Sequence, residues 1–240
     1  MNHLFISDTT QNNKNIFYIK ASLSNLIFSV VKDEFSADNL RVGLFLDIDE
    51  KSNALAGEEL IDKVSDVIAI GYKYNFFKSN LAMGGLNENE RELLITSLIS
   101  ADLKEDKRYI RSKFKQSKEM AIDGFYNFKL VNLKRKWQEI CGYIPDFFYK
   151  DELSDFIRYL VKERNGRRIT IVGDKVFDRF GKLLNRHKLI GEKQNLQVVK
   201  EALLSSSTEL LIKKMPQEEN MFYLKEYFGD KILFKLEENL

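Results

Sequence analysis

The spacing of the apolar residues changes twice along the chain, and this limits the possible folds more than any single motif does. Between about residue 57 and residue 165 apolar positions recur every three or four residues, as on one face of a helix. Leu60, Val64, Val67, Ile68 and Gly71 share one such face, in a helix beginning near Gly57. After a break at Gly84-Gly85, Asn87 with Glu90 three residues later resembles a capping box, opening a helix that carries Leu94, Leu98 and Ile99 and runs, with a bend, to about Lys118. Tyr126, Leu130, Leu133, Trp137 and Ile140 define the next helix, ending near Gly142 and Pro145. Leu153, Phe156, Ile157, Leu160 and Val161 define another, with Asp151 as its expected N-cap and Asn165-Gly166 as its stop.

On either side of this stretch the period is that of strands. Residues 4–7 and 15–20 read as a strand pair, residues 22–35 as an amphipathic helix through Leu23, Leu26, Ile27, Val30 and Val31, and Leu40 to Ile48 as a strand. After Gly166, Ile169 to Val172 reads as a strand and Val176 to Leu184 as a second one, turning at Arg179-Phe180-Gly181. Leu196 to Leu204 reads as a helix. Glu209 to Lys213, Glu218 to Phe228 and Lys231 to Leu236 give a strand–helix–strand, which can cross over to make two parallel strands. The expected class is α+β: an N-terminal α/β unit over 1–55, a helical region over 56–165, and a C-terminal α/β unit over 166–240.

A chain of 240 residues with 44% hydrophobic residues and 18 Phe has the material for a substantial core, and only two prolines argue against extended linkers. The single cysteine, Cys141, favours a reducing compartment, and neither a signal peptide nor an apolar run of membrane-spanning length is visible. A cytoplasmic protein without membrane contact is expected.

Cofactor and metal chemistry find few residues to work with. There are two histidines, His3 and His187, and one cysteine, so a zinc site would need nearly all of them together. No phosphate-cradling Gly-Lys-Ser/Thr loop or G-x-G-x-x-G is present. No cofactor, no metal and no catalytic residue is therefore assigned. The nearest enzyme-like feature is a pair of strand-end carboxylate motifs, Asp47 with Asp49 and Asp174 with Asp178. Their order looks like that of haloacid-dehalogenase-type phosphatases, in which such carboxylates hold Mg²⁺ and one attacks phosphorus. Glu50-Lys51 departs from that pattern, and helices fill the interval where strands would be needed.

Charge offers a different candidate. Residues 101–200 carry 24 Lys and Arg against 14 Asp and Glu, whereas residues 1–100 carry 9 against 14. Lys104, Arg108, Arg111, Lys115 and Lys118 fall on one face of a helix. Lys107 and Lys113 lie beside them, and Tyr109 and Phe114 lie within reach for stacking. Lys129, Lys134, Arg135 and Lys136 continue the run, and Arg164, Arg167 and Arg168 form a further cluster. Such a stripe suits a phosphate backbone or another anion; it is equally what a solvated helix face docked against an acidic segment looks like. The expected partner is a protein or a nucleic acid bound through this face, and the apolar helix faces also suit a homodimer.

Within the helical region, Asp123-Gly124-Phe125-Tyr126-Asn127-Phe128-Lys129-Leu130 resembles the acidic-Gly-Phe-x-Asn-Phe-basic-Leu stretch of the YtxC-like sporulation proteins of endospore-forming bacteria. The charged helix opening at Leu86-Asn87-Glu88-Asn89-Glu90-Arg91-Glu92-Leu93-Leu94, the helix Leu153 to Val161, and the Asp-x-x-Gly-Lys turn within Asp178 to Leu183 are similar too. The resemblance covers about residues 55 to 236. It departs at Ser205-Ser206-Ser207-Thr208, where an apolar-Pro run is usual. It implies a sporulating, low-GC Gram-positive source and assigns no activity to particular residues; the expected function is a non-enzymatic one exercised through a bound partner.

Overall fold

In the computed structural model, residues 2–23, 27–35, 40–48, 53–114, 119–163, 166–191 and 195–235 are described. They form an α+β protein in two compact units that interleave along the chain. Unit 1 is Met1–Phe76 with Lys104–Ile140, and unit 2 is Phe77–Leu103 with Cys141–Leu240. The three sequence stretches 1–55, 56–165 and 166–240 follow a different division, because the helical stretch contributes to both units.

Unit 1 is built on a four-stranded sheet in the order β2-β3-β1-β4. Strands β1 (Asn2–Thr9) and β3 (Leu40–Ile48) pair antiparallel in the register Phe5↔Phe45, which sets those two rings 4.4 Å apart, a cross-strand contact of the kind that stabilises sheets. Strand β2 (Ile27–Phe35) forms the other antiparallel neighbour of β3, and β4 (Glu119–Ala121) joins β1 in parallel.

Two N-terminal expectations are corrected here. Residues 15–20 are not a strand but part of α1 (Asn13–Ser22), and residues 27–35 are not helical but form β2. In α1, Ile16 and Ile19 bury on one helical face while Phe17 stays half exposed, a three-residue spacing that a strand would split between its faces. In β2, the β-branched and aromatic run Ile27-Phe28-Ser29-Val30-Val31 also carries a 3.6-residue match. The open edge of β3 decides between the two periods by offering a ladder of nine partners.

Helix α2 (Asn53–Asp66) continues through a π-helical turn, Val67–Tyr72, into α3 (Lys73–Asn80), and all six residues of the π turn are buried. The long helix α4 (Glu88–Lys113) starts with the expected capping box: the Asn87 N–H donates to Glu90 Oε2 at 2.9 Å, and the Glu90 N–H to Asn87 Oδ1 at 3.0 Å. It is interrupted at Asp102 (φ −126°, ψ 16°), next to the point where the chain passes from unit 2 to unit 1. The single helix expected through Tyr126 and Trp137 is two, α5 (Ile122–Lys129) and α6 (Val131–Tyr143). They separate at Leu130, whose φ −114° and ψ 30° leave the helical region.

Unit 2 centres on a five-stranded sheet, β7-β6-β5-β8-β9. Strands β5 (Ile169–Val172), β6 (Lys175–Phe177) and β7 (Leu183–Leu184) form an antiparallel meander. Strands β8 (Leu210–Lys214) and β9 (Ile232–Phe234) run parallel to β5 and to each other, joined through α9 (Glu218–Phe228) as the expected crossover. Helix α7 (Lys150–Lys162) buries Leu153, Ile157 and Val161. Its N-cap is Tyr149 rather than Asp151, because Glu152 Oε2 accepts the Tyr149 N–H at 2.9 Å. Helix α8 (Gln197–Leu204) is buried from Val198 to Leu204. Among the described residues no helix is long and apolar enough to cross a membrane.

Candidate functional site

The basic half of α4 divides into two faces. Lys107 turns into unit 1, where its Nζ lies 2.6 Å from Asp66 Oδ1 and 2.9 Å from Asp62 Oδ1. Lys104, Arg108 and Arg111 are exposed. Of these only Arg111 meets an acid among the described residues, its Nη1 lying 3.5 Å from Asp62. The acidic α2 thus neutralises the inner cation, reaches Arg111 at its margin, and leaves Lys104 and Arg108 in solvent. Lys115 and Lys118, the C-terminal end of the predicted stripe, lie outside the described residues. Of the aromatic pair, Phe114 packs against Phe125 with ring centres 5.2 Å apart, and Lys113 lies 5.3 Å over the Tyr109 ring.

The later basic clusters are partly used within their own units. Lys136 donates to Asp106 at 2.8 Å, Lys134 lies 5.0 Å over the ring of Tyr126, and Arg168 pairs with Glu209 at 2.8 Å. Arg135 and Arg167 are exposed, and Arg164 lies outside the described residues.

The Asp123–Leu130 motif forms α5, and its residues have separate tasks. Asp123 receives Arg41 of β3 in a two-pronged ion pair at 2.5 and 3.3 Å, which raises the guanidinium pKa further. The Tyr126 ring lies tilted 4.5 Å from Tyr72 and stacks 6.0 Å from Trp137, and burial pushes its hydroxyl up to about 12. Phe128, by contrast, is 81% exposed, which no packing role explains.

Charge also lies deep in unit 1. Lys73, fully buried, donates to Asp106 Oδ2 at 2.7 Å, and the same oxygen accepts the Trp137 Nε1–H at 2.9 Å. Asp8, also fully buried, accepts from Tyr72 Oη at 2.7 Å, Asn15 Nδ2 at 2.9 Å and the Thr9 N–H at 2.8 Å. Burial raises its pKa in spite of these three donors, and burial with Asp8 alongside pushes the Tyr72 hydroxyl well above its usual value. Every acid in these networks is matched to donors on neighbouring elements, as a scaffold requires.

The carboxylates considered for phosphoryl transfer are carried by different sheets. Asp47 is the penultimate residue of β3 in the first sheet, and Asp174 and Asp178 belong to the β5–β6–β7 meander of the second. Asp49 lies outside the described residues. Asp178 Oδ1 accepts the N–H groups of Phe180 and Lys182, holding the hairpin turn, and Asp174 Oδ1 accepts the Gln217 N–H at 3.0 Å. Among the described residues no group of three His, Cys, Asp or Glu is placed to hold a metal ion.

Unit 2 contains a half-open cavity of about 230 Å³ between the β6–β7 hairpin and α8, lined by Lys175, His187, Lys188, Gln197 and Glu201 among others. Glu201, 1% exposed, accepts the His187 backbone N–H on Oε1 at 2.6 Å, and the same oxygen lies 3.1 Å from His187 Nδ1. Its second oxygen lies 3.5 Å from Arg186 Nε. A carboxylate that grips both backbone and ring fixes how the imidazole stands at the cavity wall. Sequence reasoning missed this pair because fourteen residues separate its members. Its one trace in the sequence is Lys200-Glu201 inside the otherwise apolar run of α8: two charges in a helix buried all round must each find a partner. Lys200 finds Glu92 at 2.5 Å, and Glu201 finds His187.

Comparison with protein-family models, with curated proteins and with solved structures finds no match for this chain.

Proposed function

We propose that this chain is a non-enzymatic cytoplasmic binding protein of the YtxC-like sporulation group, and that it engages a polyanionic partner, a nucleic-acid backbone, through the outer face of α4. The observation that carries this reading is the contrast between neighbouring cations on one helix. Lys107 is held by Asp62 and Asp66, while Lys104 and Arg108 stand in solvent with no acid opposite them among the described residues. Cations left open on a rigid helix match a chain of phosphates, which needs charge at regular intervals and little else. Residues 104–140 carry eleven Lys and Arg against five Asp and Glu, so the surrounding field has the same sign. The exposed Phe128, next to Lys129, offers an unstacked base an aromatic face.

The test is fluorescence anisotropy of labelled single- and double-stranded oligonucleotides over a range of salt. With three to five phosphate contacts, log K against log salt for duplex should fall with a slope of about −2.7 to −4.5. The triple variant K104E/R108E/R111E should lose binding at low salt. Unchanged affinity in that variant, or no binding by the parent protein at low salt, refutes the proposal.

A further inference from the structure

We propose that the cavity between the β6–β7 hairpin and α8 binds a small phosphorylated molecule, its phosphate held by Lys175, Lys188 and His187 and its organic part set against Val176 and Leu183. The balance of engaged and open charges points to an anion. Each acid at the cavity has one oxygen engaged by the protein: Asp174 Oδ1 accepts the Gln217 N–H, and Glu201 Oε1 takes both His187 contacts, with Arg186 Nε 3.5 Å from its buried Oε2. Both lysines are exposed and make no ion pair among the described residues. His187 has Nδ1 committed to Glu201, so Nε2 is the nitrogen left to meet a ligand.

The second and third backbone donors of α8 do not share in this, because the N–H groups of Val198 and Val199 both turn to Asn220 Oδ1. Recognition therefore falls mainly to the side chains of Lys175, Lys188 and His187, which favours a compact charge such as phosphate. Size limits the rest of the ligand: about 230 Å³ lies below the roughly 300–1,000 Å³ of drug-sized sites, which leaves room for a phosphate and a few carbons.

The experiment is an NMR titration of the whole ¹⁵N-labelled chain with phenyl phosphate, inorganic phosphate and phenol. Phenyl phosphate should move the amides of Lys175, His187 and Gln197 saturably, inorganic phosphate the same amides more weakly, and phenol none of them. K175Q/K188Q should weaken phenyl phosphate by about ten-fold or more at an unchanged melting temperature. The proposal is overturned if phenol moves these amides as phenyl phosphate does, if the double variant binds as tightly as the parent, or if no anion moves them up to about 10 mM. A 5′-phosphorylated dinucleotide that moves them where phenyl phosphate does not would assign the site to a nucleic-acid end and overturn the small-molecule reading. Lys104, Arg108 and Arg111 belong to the other unit, so K104E/R108E/R111E should leave the cavity's response unchanged. The two proposals therefore fail separately.

Discussion

The two units hold their elements together by different means. Unit 1 places full charges in its interior and matches each one: Asp106 meets Lys73 and Trp137, and Asp8 meets Tyr72, Asn15 and Thr9. Its Gly57 and Gly124 have room to spare, with no atom closer than 3.6 Å to a methyl group built there. Among the described residues unit 2 also pairs buried charge, Lys200 with Glu92 and Glu201 with His187, and in addition brings backbone into close approach at two glycines. A methyl group on Gly166 would lie 1.6 Å from the Ser206 carbonyl oxygen, and one on Gly85, at φ +81°, 2.3 Å from that of Phe148. The first arrangement is sensitive to removing a partner; the second is sensitive to adding an atom.

That contrast is tested hardest at Asp106. Asp106→Ala leaves Lys73 buried without its carboxylate and should cost about 3–5 kcal/mol. The loss can be followed by urea denaturation through the fluorescence of Trp137, the only tryptophan and a member of the same cluster. Replacing the pair together, as K73M/D106L, should recover part of that loss, since the two charges are then removed in company while the Trp137 Nε1–H still loses its acceptor. If the single and double variants are equally unstable, the charges are not what holds unit 1.

In unit 2 the corresponding step is Gly166→Ala, which should cost about 1–3 kcal/mol because backbone, not a flexible side chain, must yield. Gly124→Ala in unit 1, where the nearest atom is 3.6 Å away, should change the same denaturation midpoint little. Equal costs at the two glycines would break the comparison.

A smaller effect concerns pH. Burial works to raise the pKa of Asp62, but Lys107 and Lys63 outweigh it and hold the carboxyl below its ordinary value. A depressed acid contributes stability that is present above its unfolded pKa, about 3.9, and is lost as pH falls through the lowered folded value. Asp62→Asn should therefore flatten the fall in urea midpoint below about pH 4. Asp8, raised by burial, acts with the opposite sign: the cost of its ionised form is relieved as pH falls. The smallest change is expected at the outer face of α4, where Lys104→Glu should alter stability by no more than about 0.5 kcal/mol while weakening anion binding.

The same contrast explains which parts of the fold were legible in the sequence. At several points after Asn87 local signals and tertiary packing agree: the Asn87–Glu90 box, the apolar stripe of α7 and the crossover through α9 all stand close to where the residue pattern places them, whereas the helix expected through Tyr126 and Trp137 breaks at Leu130 and α7 is capped by Tyr149 instead of Asp151. In the first 35 residues they disagree. Ile16 to Ile19 is as apolar as a strand but buries Ile16, Tyr18 and Ile19 together, as a helix face does, and Ile27 to Val31 satisfies both periods until β3 pairs with it. The exposed cations of α4 follow from helical spacing alone. The loss of Lys107 to α2 does not, nor does the His187–Glu201 pair, because each depends on residues brought together only by the fold.

The interleaving of the units has a consequence for synthesis on the ribosome. Strand β1 and helices α1 and α2 emerge first, yet β4, α5 and α6, which complete the same unit, follow only after residues 77–103 have been made. At about 5–20 residues per second the 64 residues from 77 to 140 take roughly 3–13 s to appear, and for that time the nascent N-terminal segment has apolar surface with nothing of its own to cover it. No cut between residues 77 and 103 releases a self-sufficient half, so truncation there should yield chaperone-dependent or aggregating fragments rather than a working domain.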